Sequence, residues 1–297
     1  MRSLAIIGLL VLAGVANAQP APTKITIGIY VPSVEFGTAQ ARLAYAQGLA
    51  KAIETNTGIK TEAQSFANAG AMKTVDFAIV DGQCYATNLT WRLLATATIG
   101  GQTQRPWALY STEGPTMQAL KGKKLAFVST GCNDSGFVDN AMLESEVDAS
   151  FFGARVANPD LTAAVAAVVS YKSAQAVFAP VGAAKGLTKV FDSGSAPNPA
   201  FVVLNTKLPA AVVDKVAAAV VGYGGSGAIG GWAKPSREIY QALAGRLGRM
   251  VKQGIMANPD PVRIDAKDVL VEPPTLRDSA LVEIRHHFVR PPGDRMD

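Results

Sequence analysis

From Lys24 to Val221, short runs of strand character alternate with helical patterns over brief connections, and this alternation restricts the chain to an α/β fold. Lys24–Val31 alternates at period two with β-branched residues. Ala39–Thr55 sets Leu43, Ala46, Ala50 and Ile53 on one helical face and stops at Asn56-Thr57-Gly58. Lys60–Phe66 reads as a second strand, and the apolar Val75–Val80 as a third, covered on both faces. Asp81-Gly82-Gln83 turns into a helix expected over Cys84–Leu94, and Leu109–Thr112 leads out of this unit, with the crossing at Gly114-Pro115. A second unit repeats the pattern: strand 123–129, helix 135–146, strand 155–157, helix 159–170, strand 174–179, return strand 201–204 and helix 209–221. Two such units joined by single crossings predict a two-lobed protein with its ligand cleft between the lobes, at the carboxyl ends of the strands. The expected division is 1–18 as signal peptide, 23–110 with 205–257 as lobe 1, 111–204 as lobe 2, and 258–297 as a C-terminal tail. Tyr223–Gly231 reads as a Gly-rich loop, Lys234–Lys252 as an amphipathic helix, and Asp268–Val271 as a strand in a Pro-rich tail.

The N-terminus sets the compartment. Arg2, the apolar Leu4–Val15 and Ala16-Asn17-Ala18 make a secretory signal peptide cleaved before Gln19, which directs the mature chain to the periplasm. No later stretch is apolar for long enough to span a bilayer. The formal net charge of +5 is mild, and no basic run is interleaved with aromatic residues, so nucleic acid is not an expected partner. Cys84 and Cys132 are the two cysteines. An oxidising compartment allows a bridge between them, but spacing leaves two readings open: small buried residues, or a disulfide that tethers the lobes and opposes hinge motion.

One turn concentrates the chemistry. Lys123–Phe137 is a short apolar strand running into Gly131-Cys132-Asn133-Asp134-Ser135-Gly136 at the start of a helix. Unpaired N–H groups converge in such a turn and suit an anion. Asp134 places a fixed negative charge there. It reads as an N-cap, as an acceptor for a ligand hydroxyl, or as both.

Other chemistries find little support. Gly222-Tyr-Gly-Gly-Ser-Gly227 fits a nucleotide-binding pattern literally but follows a helix rather than a strand. His286-His287 lack converging partners for a metal site. Neither the serines nor Cys132 has a His to activate it. No catalytic residues, metal or cofactor are expected, and the chain reads as a non-enzyme.

Three segments carry a resemblance. Ile25–Val31, Val75-Asp-Phe-Ala-Ile-Val-Asp-Gly-Gln-Cys-Tyr85 and Leu120-Lys-Gly-Lys-Lys-Leu-Ala-Phe-Val128 occur in an order and spacing that resemble the periplasmic substrate-binding proteins of phosphate, phosphite and phosphonate ABC transporters. The resemblance implies a type 2 periplasmic binding fold. It assigns Tyr85 to the strand-end tyrosine that holds phosphonate oxygens, whereas the hydroxyl-rich second turn is replaced here and keeps Ser135 as its hydroxyl. The His that the family often places ahead of the next helix is missing from 158–162, and the acidic group of the following strand end is missing from 177–180. With Tyr30, Phe36, Tyr85, Phe137 and Phe178 near strand ends, these departures make the chain look like the sterol- or lipid-binding offshoot of the family. The ligand-binding set so implied is Tyr30, Phe36, Asp81, Gln83, Tyr85, Cys132, Asn133, Asp134, Ser135 and Phe137. The implied partners are a small molecule, a sterol or other lipid, and an inner-membrane transporter or another lipid-traffic protein. The alternative is a phosphate or phosphonate receptor that uses Tyr85, Asn133, Ser135 and backbone N–H groups.

Overall fold

The structure is a computed structural model that describes residues 22–248 apart from 149 and 226. The expected signal peptide, the tail and its strand lie outside the described residues. Two mixed sheets organise the chain. The first contains β1 (Lys24–Tyr30), β2 (Lys60–Ser65), β3 (Phe77–Val80), β4 (Arg92–Thr98), β10 (Ala200–Val203) and β11 (Gly231–Ala233), in the order β11-β4-β10-β3-β1-β2. The second contains β5 (Gln104–Ser111), β6 (Lys124–Val128), β7 (Ala154–Asn158), β8 (Ala176–Pro180) and β9 (Thr188–Pro197), in the order β7-β6-β8-β5-β9. Each sheet is built on three parallel strands, β2-β1-β3 and β7-β6-β8, extended by antiparallel neighbours.

Helix α1 (Ala39–Thr57) starts where Thr38 accepts a hydrogen bond from the Ala41 N–H, and ends at Gly58 in the left-handed region. It buries Tyr45, Leu49 and Ile53 against β1 and β3, together with α4 (Ala210–Val221). Helix α3 (Leu161–Val169), capped by Asp160, covers the second sheet through Leu161, Ala164 and Val168. Helix α5 (Arg237–Leu247) contributes Tyr240 beside Tyr85, and Leu243 and Leu247 to the core of the second sheet. It therefore straddles both halves.

Several boundaries differ from those expected. The helix placed over Cys84–Leu94 is α2 (Gly82–Ala86), and Arg92–Thr98 is strand β4. The chain leaves the first sheet at Ile99–Thr103 rather than at Gly114-Pro115, so 104–111 belongs to the second sheet. Gly100 and Gly101, at φ 60° and 79°, make the reversal that Ile99 and Gln102 close. Residues 200–203, assigned by sequence to lobe 2, pair with β3 and β4 of the first sheet. Strand β9 was not anticipated at all, because Thr-Lys-Val-Phe-Asp-Ser-Gly-Ser-Ala-Pro has little strand character. Pairing along β5 holds it. The segment expected as an α-helix over 135–146 is a π-helical stretch, Gly136–Met142, closed by the Leu143 N–H on the Val138 carbonyl.

The two crossings are bonded to each other. Asn198 donates its side-chain amide to the Gln102 carbonyl at 2.7 Å and its backbone N–H to the Thr103 carbonyl at 2.9 Å. Arg105 donates to Asn198 Oδ1 at 2.9 Å. The Tyr240 hydroxyl is directed at the carbonyls of Asn198 (2.9 Å) and Pro199 (3.2 Å).

Candidate functional site

The carboxyl ends of β1, β3 and β6 are joined: the Tyr30 hydroxyl reaches the Thr130 carbonyl and Gln83, just after β3, reaches Asp134, so the turn after β6 lies at this junction. The Asp134 carboxylate occupies the anion seat of this turn. Its Oδ1 accepts from the Thr130 N–H (3.0 Å), the Thr130 hydroxyl (2.7 Å) and the Gln83 side-chain amide (3.0 Å). Its Oδ2 accepts from the Ser129 hydroxyl (2.8 Å) and the Gly131 N–H (3.1 Å). A carboxylate offers about four lone-pair positions, so these donors saturate it and leave no capacity for a ligand hydroxyl. Asp134 does not cap the following helix either. Asn133, at φ 60°, performs that task by accepting from the Gly136 N–H at 3.1 Å. A Cβ at Gly136 would lie 2.5 Å from Asn133 Nδ2, so a larger residue there would displace the capping side chain.

More than the turn holds the two halves together. Cys84 on α2 and Cys132 form a disulfide with Cα atoms 5.0 Å apart, which resolves the alternative left open by spacing. Gln83 also donates to the Cys132 carbonyl at 2.8 Å. The Tyr30 hydroxyl donates to the Thr130 carbonyl at 3.1 Å, and the Leu161 N–H at the start of α3 to the Pro32 carbonyl at 2.9 Å. These groups connect β1 and α2 of the first half to the second sheet.

Asp81 anchors the first-half side of this junction. It caps α2 through the Gln83 N–H at 3.1 Å and accepts the Ser33 N–H at 3.1 Å. Burial pushes its carboxyl upward, against the hydrogen bonds from Ser33 and Gln83 and the nearby charge of Arg105. Asp134 goes the other way. Burial alone would raise it, yet the hydrogen bonds of Thr130, Ser129 and Gly131 together carry it below the ordinary value. Tyr30 is pushed up to about 12 by burial and by the charges of Asp81 and Asp134.

The two carboxylates should therefore have opposite pH signatures. A carbon-13 titration is expected to place Asp134 below, and Asp81 above, the ordinary value of 3.8. The stability that Asp134 contributes is present above the unfolded-state value and lost as pH falls through its folded value. The contribution of Asp81 is present below the unfolded-state value and lost as pH rises through its folded value. Identical midpoints for the two would contradict the geometry.

Of the ten residues expected to bind ligand, Tyr30, Gln83, Cys132 and Asp134 converge, with Asp81 next to them. The others do not join them. Tyr85 is fully buried, its ring edge-on to Tyr240 with centroids 4.7 Å apart and its hydroxyl pointing to the Trp91 carbonyl. It points into the core because α2 is only one turn long and that face packs on α5. Phe137 packs edge-on against Trp107 in the core of the second sheet, and Phe178 stands beside Phe191. Phe36 packs against Tyr45 of α1. The expected apolar wall is thus divided among three separate clusters. Ser135 and Asn133 are exposed. The hydroxyls that matter are those of Ser129 and Thr130, which sequence reasoning passed over. Their position at the strand end, directly before Gly131, was the available signal.

Among the described residues no group of three or more His, Cys, Asp or Glu side chains could hold a metal, and no helix is long and apolar enough to cross a membrane. Two mixed sheets linked by paired crossings, with strand ends facing a common junction, define the periplasmic binding protein fold. Solved structures with this fold include XAC2383 from Xanthomonas citri bound to ATP (12% identity, TM-score 0.58, covering 79% of this chain and 100% of that one). They also include PhnD1 from Prochlorococcus marinus in complex with methylphosphonate (12%, TM-score 0.57, 75% and 97%). A third is the binding component of a Pseudomonas aeruginosa ABC phosphonate transporter, PA3383 (14%, TM-score 0.56, 71% and 81%). The chain matches no protein-family model and no curated protein.

Proposed function

We propose that this protein is a periplasmic solute-binding protein that takes a small oxyanion between its two halves and delivers it to an inner-membrane transporter. The carrying observation is the set of donors around Asp134. Two backbone N–H groups, two hydroxyls and a side-chain amide surround one carboxylate, which is the chemistry of a phosphonate or phosphate seat. The structural neighbours named for phosphonate transport and bound to methylphosphonate support the same ligand class. A sterol or lipid ligand loses its motivation, since the aromatic side chains that suggested it are packed in separate cores.

Asp134 acts as a resident competitor in this reading. An external oxyanion must displace it, because two anions in one partly desolvated seat repel. The test is titration calorimetry with methylphosphonate and phosphate on the wild type and on Asp134→Ala. Emptying the seat is expected to tighten oxyanion binding by at least about tenfold, the effect of roughly 1.4 kcal/mol. The variant should melt lower than the wild type, because its donors lose their acceptor, and recover when the anion is added. If neither protein binds either oxyanion, and neither is stabilised by it, the proposal fails.

A further inference from the structure

A second concave site lies on the first half, away from the Asp134 seat. It is a groove of about 540 Å³ between α1, the loop after β1 and the loop after α4. Ala41, Ala44, Tyr45 and Gly48 share one face of α1, so its floor is made of small residues flanked by one ring. Phe36 and Tyr223 complete an aromatic surround. The rings of Phe36 and Tyr45 stand 5.6 Å apart at 55°, and those of Tyr45 and Tyr223 stand 6.0 Å apart at 70°. Rings inclined in this way form walls rather than a stack.

The surround is held in place from behind. The buried Trp232 donates its indole N–H to the Tyr45 hydroxyl at 3.0 Å. Gly48 lets Tyr223 lie against α1, since a Cβ there would sit 2.9 Å from the Tyr223 hydroxyl. Burial keeps Tyr45 protonated well beyond neutral pH. Among the described lining residues, Glu35, which is exposed, is the sole acidic or basic side chain. Arg105 lies near enough to Glu35 to feel its charge, but its guanidinium is bonded to Asn198 and to the Ser33 carbonyl.

Three aromatic side chains and one carboxylate, with no basic residue among the described lining residues, are complementary to a cation that carries apolar substituents. A ring face attracts a cation within about 6 Å of its centroid, and methylated ammonium groups gain most because they desolvate easily. We propose that this groove binds a small methylated ammonium ion. The proposal does not depend on the oxyanion reading and calls for a ligand of opposite charge.

Saturation-transfer NMR and calorimetry with tetramethylammonium chloride test it, with tert-butanol as a neutral probe of similar shape. The expected result is saturable uptake of tetramethylammonium, with amide shifts at Gly48, Tyr223 and Ala228, and no comparable uptake of tert-butanol. Tyr223→Ala is expected to weaken binding about tenfold and Glu35→Gln about threefold. Both positions are at least partly exposed, so both variants should fold, which circular dichroism and melting curves would establish. Asp134→Ala should bind tetramethylammonium like the wild type, which separates this site from the anion seat. Absence of saturable uptake by the wild type, equal uptake of tert-butanol, or unchanged affinity in both folded groove variants would each overturn the assignment.

Discussion

Replacing Cys84 and Cys132 together by serine is expected to lower the unfolding free energy by about 4 kcal/mol, the loop-closure effect of a bridge spanning 48 residues. The bridge joins α2 on the first half to the turn after β6 on the second, so its loss should be felt first at the junction and only then in the sheets. Urea unfolding with and without a dithiol reductant measures the effect. The wild type should fall to the midpoint of the double variant when reduced, and the double variant should not respond to reductant. Hydrogen exchange supplies the local readout. The Leu161 N–H is bonded to Pro32 on the opposite half, and its exchange should accelerate on reduction more than that of Ile79 in the middle of β3. Equal midpoints for the oxidised wild type and the double variant would contradict this account of the bridge.

Gly82→Ala is expected to destabilise by about 3 kcal/mol or to prevent folding altogether. A Cβ at position 82 would lie 2.1 Å from the Pro197 carbonyl oxygen and 3.0 Å from that of Asn198. Both obstacles are backbone, and neither can move freely. Asn198 is fixed by its bonds to Gln102 and Thr103, and its carbonyl receives the Tyr240 hydroxyl. The added methyl would therefore force apart α2 and the return crossing, which hold the two halves in register. Gly224→Ala is a suitable comparison, since no atom stands within 4 Å of its Cβ position. Denaturant midpoints of the two variants decide the matter. Similar midpoints would mean that the crossing yields to the methyl.

The prediction on Gly82 shows how far the sequence could be read. Asp81-Gly82-Gln83 was legible as a turn into a helix, because Asp is a good cap and Gly breaks a strand. What made glycine necessary was the approach of Pro197, more than a hundred positions away, and no local pattern carries that. The parallel strands β1, β3, β6 and β8 were legible as short apolar runs, with β-branched residues alternating in β1. Strands β4 and β9 were not, because each is held by pairing with a strand whose neighbourhood follows from the crossings. The first crossing was misplaced for the same reason. Gly114-Pro115 is a strong local turn signal, whereas Gly100-Gly101 becomes the crossing only once β4 and β5 are assigned to different sheets.

The candidate site divides in the same way. The turn Gly131–Gly136 and its acid could be picked out from residue type alone, and the structure places them where Tyr30, Gln83 and Cys84 reach across from the first half. Tyr85 entered the ligand set through the resemblance and Phe137 through its position near a strand end, and Phe178 was read as a further aromatic at a strand end. Position near a strand end does not say which way a side chain faces, and packing against Tyr240, Trp107 and Phe191 turned all three inward.

By itself, the sequence determined the alternation of strands and helices, and with it the class of fold, because periodicity and chain stops are local properties. It also determined that a negative charge stands in a strand-to-helix turn, where converging N–H groups suit an anion. Only the tertiary structure decided what that charge does. Ser129, Thr130, Gly131 and the distant Gln83 converge on both oxygens of Asp134, so the acid fills the seat instead of lining it. The same holds for Cys84 and Cys132. Their presence was plain in the sequence, but their pairing required two halves of the chain to bring Cα atoms within 5.0 Å, a distance set by folding and not by spacing.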